Sequence, residues 1–250
     1  MFVKHNVKKP NIIIALDFFN KNQAIKLVNN LDPKIYALKI GKIMFTLFGK
    51  TFIKTLQKLG FNVFLDLKLY DIPNTIFGTI QAMADLDIWM ISIHICGGKK
   101  MLQSAKLALK PFYKKRPLLM GVTILTSFDE SDIHDIGINM PMKNYILTLS
   151  RLAQKCKLDG IICPGKEVLS IKKELGNNLK ILTPGIRCKK NLLHDQKNTT
   201  TPYLAKKYNI DYIVVGRAIT SLTNPLIALN NIQIELDIYD TLKYHHLKKI

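Results

Sequence analysis

The chain has little of what would staple it, carry it across a bilayer or fix it to nucleic acid. Only four cysteines occur in 250 residues, Cys96, Cys156, Cys163 and Cys188, and no two stand in C-x-x-C spacing. That argues against a zinc site or a redox pair and favours reduced thiols in a cytoplasmic protein. No stretch approaches the ~20 uninterrupted apolar residues of a membrane span. The first ten residues, MFVKHNVKKP, are basic but lack the apolar run of a secretory signal, so they are expected to form a basic extension to the fold. Arginine is scarce: Arg116, Arg151, Arg187 and Arg217 are the only ones in a chain of formal charge +19. The lysines are scattered along the whole chain, with no strong basic block carrying interleaved aromatics. A nucleic-acid-binding protein is therefore disfavoured, and the charge reads as a positive field that attracts anionic ligands.

What is present is an alternation. Strand-like apolar runs fall at Ile12–Asp17, Tyr36–Gly41, Phe61–Leu69, Ile88–Ile95, Leu118–Leu125, Gly160–Cys163, Lys180–Thr183 and Tyr212–Val215. Helical spacing separates them at Asn20–Asn30, Met44–Leu59, Thr75–Leu86, Lys99–Leu109, Lys143–Lys157, Lys166–Leu175 and Pro202–Tyr208, and a last helix begins near Asn224. Eight β/α units in a chain of this length predict a (β/α)8 barrel, one domain over residues 1–250. An open doubly wound sheet is the alternative, but no G-x-G-x-x-G follows the first strand. The polar stretch Cys188–Thr201 is long for a loop in a compact domain, which points to function or disorder.

Polar residues collect at the ends of the apolar runs. Within FLDLKLYDIPNT (Phe64–Thr75), Asp66 and Lys68 are two apart and would share a strand face, with Asp71 just past the strand end and a helix starting at Asn74 or Thr75. Lys39 interrupts LKIGK, and Asp17 closes the first run as either a helix cap or a ligand group. His94 fits a strand-end histidine with a local partner better than a ligand. Thr126 and Ser127 end the fifth run. TPGIR, with Arg187, and VVGRAI, with Gly216 and Arg217, end the last two, where barrels hold phosphate groups. In a barrel, charged groups from several strands would converge on one mouth, which a single structural ion pair does not explain.

These stretches resemble the orotidine 5′-phosphate decarboxylase family over nearly the whole chain. The resemblance is carried by ALD (Ala15–Asp17), LKIGKIMFTLFG (Leu38–Gly49), FLDLKLYDIPNT, HICGG, VTILTS, LDGIIC, TPGIR, DQ (Asp195-Gln196) and VVGRAIT. It departs after DQ, where Lys197-Asn198 replaces a more basic run. The resemblance implies a cofactor-free, metal-free decarboxylase acting in a homodimer, without nucleic-acid or membrane partners. It implies Lys68 as proton donor, flanked by Asp66 and by Asp71 of the partner subunit, with Lys39 completing an alternating array. Asp17 and Lys39 would contact the ribose, while Asp71 and Thr75 reach across the interface. Thr126 and Ser127 would lie beside the pyrimidine, Gln196, Gly216 and Arg217 would grip the phosphate, and Arg187 would begin the closing loop. A related barrel decarboxylase acting on a sugar-acid phosphate would instead depend on a metal.

Overall fold

In a computed structural model, the described residues are 11–188, 199–220, 222 and 224–247, with side chains of the last helix described to residue 238. Eight parallel strands close into a barrel in sequence order. They are β1 (Asn11–Leu16), β2 (Tyr36–Gly41), β3 (Val63–Leu69), β4 (Met90–His94), β5 (Leu118–Val122), β6 (Gly160–Ile162), β7 (Lys180–Thr183) and β8 (Tyr212–Val215). The helices α1 (Lys21–Val28), α2 (Lys42–Lys58), α3 (Pro73–Ala84), α4 (Gly98–Ala108), α5 (Glu130–Asp135), α6 (Met142–Lys155), α7 (Val168–Leu175), α8 (Pro202–Lys207), α9 (Arg217–Thr220) and α10 (Pro225–Leu247) form the outer layer. The open-sheet alternative is thereby excluded.

The strands read as continuous apolar runs because both faces are buried. In β1, Ile12, Ile14 and Leu16 pack outward against the helices, whereas Ile13 and Ala15 point into the barrel with Ala37, Phe64, Met90, Met120 and Leu182. Trp89 and Tyr212 meet edge-on at 5.5 Å among these interior residues. The period of two that seats Ala15, Ala37 and Phe64 inside also carries Asp17, Lys39 and Asp66 to the same side, one layer nearer the mouth. Charge thus begins where the apolar filling of the barrel ends.

Several boundaries differ from the sequence reading. β3 starts at Val63 rather than Phe61, and β5 stops at Val122, short of Leu125. α3 begins at Pro73, not at Asn74 or Thr75: proline's fixed φ suits the first helical position, and no side chain caps this helix. The cap of α1 is Asn20, whose side chain accepts from the Asn22 and Gln23 N–H groups, so Asp17 is left for the mouth. α5 and the one-turn α9 were not expected. α5 is short and mostly polar, with only Ile133 buried, and it is held by a reciprocal capping box between Asp129 and Asp132. Of the Cys188–Thr201 stretch, residues 189–198 lie outside the described residues.

Candidate active site

The site is built around an irregularity in β3. Leu65 pairs with Ile91 and Leu69 with Ile93, so four steps along β3 match two along β4. The extra length is absorbed at Lys68, which takes left-handed backbone at φ 50°. Simple alternation, as expected from sequence, therefore does not describe this stretch; the bulge re-aims Lys68 toward the mouth. With its N–H turned away from the β4 backbone, Lys68 donates instead to the Ser92 hydroxyl at 2.9 Å. Ser92 in turn donates to Asp66 Oδ1 at 2.8 Å.

Four charges follow one another across the mouth. Asp17 Oδ1 lies 3.5 Å from Lys39 Nζ, Lys39 Nζ lies 3.5 Å from Asp66 Oδ2, and Lys68 Nζ lies 2.7 Å from the same Asp66 oxygen. Burial alone would raise the Asp66 pKa. The Lys39 and Lys68 charges, with hydrogen bonds from Lys68 and Ser92, outweigh it and hold the carboxyl below its ordinary value. Asp66 is thus an ionised carboxylate kept in the barrel by two ammonium groups.

A cavity of about 280 Å³ opens onto this row. Thr126 and Ser127, past the end of β5, line it, as do Arg187 after β7 and Gly216 with Arg217 after β8. The Arg187 pKa is lowered by burial and by the like charge of Arg217, an environment that an anion would relieve. Ile186 and Thr200 form an isolated parallel bridge, and Arg187 N–H donates to Thr200 C=O at 3.0 Å, which fixes where the chain leaves the site and where it returns.

The remaining expected residues are placed differently. Asp71 and Thr75 are exposed and do not line the cavity; the Asp71 carboxylate accepts from the Ile72 N–H at 2.7 Å. Gln196 lies outside the described residues. His94 is half-buried, edge-on to Tyr70 at 6.1 Å, with its pKa lowered by burial and by Lys68 and Lys42. Sequence reasoning missed Ser92, whose signal was a hydroxyl inside the apolar run MISIH, and the cavity residues Ile124, Leu125, Pro184 and Gly185. Among the described residues, no three His, Cys, Asp or Glu side chains are grouped to hold a metal, and no helix is long and apolar enough to cross a membrane.

A closed parallel barrel with ionic and guanidinium groups at the carboxyl ends of its strands defines a (β/α)8-barrel protein suited to an anionic ligand. Comparison with known proteins is more specific. The chain belongs to the orotidine 5′-phosphate decarboxylase / HUMPS family, whose model matches residues 10–232. It is 62% identical over 237 residues to the orotidine 5′-phosphate decarboxylase of Buchnera aphidicola subsp. Baizongia pistaciae, covering 94% of this chain and 100% of that protein. Against the Klebsiella pneumoniae enzyme of the same name, identity is 42% over 225 residues, covering 90% and 92%. The crystal structure of orotidine 5′-phosphate decarboxylase from Lactobacillus acidophilus superposes with a TM-score of 0.80 at 35% identity, covering 92% of this chain and 99% of that one.

Proposed function

We propose that this protein converts orotidine 5′-phosphate to UMP and CO2, the last step of de novo pyrimidine biosynthesis, with no cofactor and with Lys68 as the proton donor. The observation that carries the reading is the unbroken row Asp17–Lys39–Asp66–Lys68 beside a cavity that also holds Arg187 and Arg217. The family and its relatives supply the substrate class.

In this reading Arg187, Gly216, Arg217 and Gln196 hold the phosphate, Asp17 and Lys39 the ribose, and Thr126 and Ser127 the pyrimidine. The bond from C6 to the carboxylate breaks, CO2 leaves, and the electron pair stays on C6. The Lys68 ammonium stabilises that pair electrostatically and then transfers a proton to it, regaining one from solvent after release. Asp66 holds the Lys68 ammonium through the 2.7 Å hydrogen bond and places negative charge near the substrate carboxylate, which raises the ground state. Phosphate binding, remote from C6, supplies the energy that organises the mouth.

The reading includes a homodimer in which Asp71 of the partner subunit, with the partner's Thr75, completes each site. Its support is that Asp71 is flanked by two apolar side chains, Tyr70 and Ile72, each 65% exposed in the single chain. The test of the function is loss of orotidine 5′-phosphate absorbance with excess chelator present. Turnover unchanged by chelator is expected. A metal requirement, or turnover of a sugar-acid phosphate in its place, contradicts the reading.

A further inference from the structure

A second concavity, of about 610 Å³, lies at the opposite end of the barrel, between the C-terminal turns of α4 and α6 and the segment that leads into β5. Five cationic side chains line it: Lys106, Lys110, Arg116, Lys155 and Lys157. Asp159, just before β6, accepts two hydrogen bonds of 2.6 Å from the Arg116 guanidinium and lies 3.8 Å from Lys106. One carboxylate therefore answers two cations, and Lys110, Lys155 and Lys157 make no ion pair among the described residues. The imbalance is felt at Lys106, whose pKa is lowered by burial and by Arg116 in spite of Asp159. Lys155 sits in the last turn of α6, where a cation complements the helix end. Lys110 opens the short 3-10 turn that follows α4, and Lys157 lies two residues past the end of α6.

Tyr113 adds an aromatic face. The residue is 83% exposed and its backbone is left-handed at φ 45°, whereas the φ of 56° at Lys157 ends α6, with the Leu158 N–H donating to the Ala153 C=O at 3.0 Å. An exposed ring beside ammonium groups that make no ion pair can stack a base and hold its phosphates.

We propose that this concavity binds a nucleotide bearing two or three phosphates, with its base on Tyr113 and its phosphates on Lys110, Lys155 and Lys157. Those ammonium groups match the roughly three to four negative charges of such a tail at neutral pH. The cations line one concavity, which suits a compact ligand over a polynucleotide.

The test is calorimetric titration of the whole protein with adenosine or uridine triphosphate at about 0.15 M salt, with the substrate pocket filled by saturating UMP. A binding event that persists under UMP is expected. The Lys110→Glu/Lys157→Glu variant should weaken it by about tenfold or more while orotidine 5′-phosphate turnover stays within about twofold, since charge-assisted contacts are lost far from the reacting end. Absence of the event, equal affinity in the charge-reversed variant, equally tight binding of inorganic triphosphate, or displacement by polynucleotide at equal phosphate concentration would each overturn the proposal. Because the charge reversal lies at the end away from the substrate, its result stands whether or not the decarboxylase reading holds.

Discussion

At Lys68, a residue with a β-carbon is held at φ 50°, and the Ser92 hydroxyl is what holds it, bonded on one side to the Lys68 N–H and on the other to Asp66. Ser92→Ala leaves the Asp66 carboxylate short of one charge-assisted hydrogen bond in a buried setting. The expected result is a fall in kcat of about tenfold or more with a stability loss of about 1–3 kcal/mol. Steady-state kinetics beside urea unfolding checks this, and an unchanged kcat would mean that Ser92 does not position the array. Lys39, Asp66 and Lys68 were legible in the sequence because charge in an apolar strand is costly without partners. Ser92 was not, because a hydroxyl in a strand is unremarkable until the bulge places it under Lys68.

The elements were legible to the extent that burial makes their pattern. β2, β7 and β8 have the bounds expected from sequence, since polar or turn residues stop each run abruptly. Past Val122 the Thr123 N–H and hydroxyl both donate to the Ile162 C=O, at 3.1 and 2.9 Å, and the residues after it turn into the mouth, so β5 ends short of Leu125. Pairing between elements was not legible at all. Asp159 ties β6 to β5 through the Arg116 guanidinium and the Leu119 N–H at 2.8 Å. Burial opposes its ionisation, but Arg116, the Leu119 N–H and Lys106 prevail and its pKa is lowered. A lowered folded-state pKa gives stability that is present above the ordinary carboxylate value and lost as pH falls through the folded one. Asp159→Asn should therefore cost about 1–3 kcal/mol at pH 7, discounted for the partly exposed Arg116, with the gap to wild type closing below about pH 4. Denaturant midpoints measured across pH check it; a gap that persists at low pH would contradict the assignment. Gly165 serves another junction, since a β-carbon there would sit 2.0 Å from Thr200 Oγ1 and 2.8 Å from Thr200 Cβ. Gly165→Ala should displace Thr200 and with it the Arg187 N–H, so kcat/KM should fall more than kcat. Equal loss in both would place the damage at the charge array instead.

For the whole molecule, the barrel followed from counting units, because eight apolar runs with helices between them fit few other closed arrangements. The assembly does not follow from one chain. Asp71 is exposed, and its carboxylate accepts from the Ile72 N–H. If Asp71 serves the partner's site, mixing inactive Lys68→Ala and Asp71→Ala chains places both lesions in one site of each heterodimer and leaves the other intact. Activity per heterodimer should return to about half of wild type, by isologous symmetry. Confirmed heterodimers as inactive as their parents would confine Asp71 to its own subunit.

If the Lys68 ammonium delivers the proton that replaces CO2, orotidine 5′-phosphate turnover by a Lys68→Ala variant, its fold verified by its unfolding transition, reads that step directly. No measurable decarboxylation is expected, since the remaining row would present carboxylates to the substrate carboxylate with no donor beside C6. A folded variant that keeps about a tenth of wild-type turnover, a barrier change of only about 1.4 kcal/mol, would contradict it.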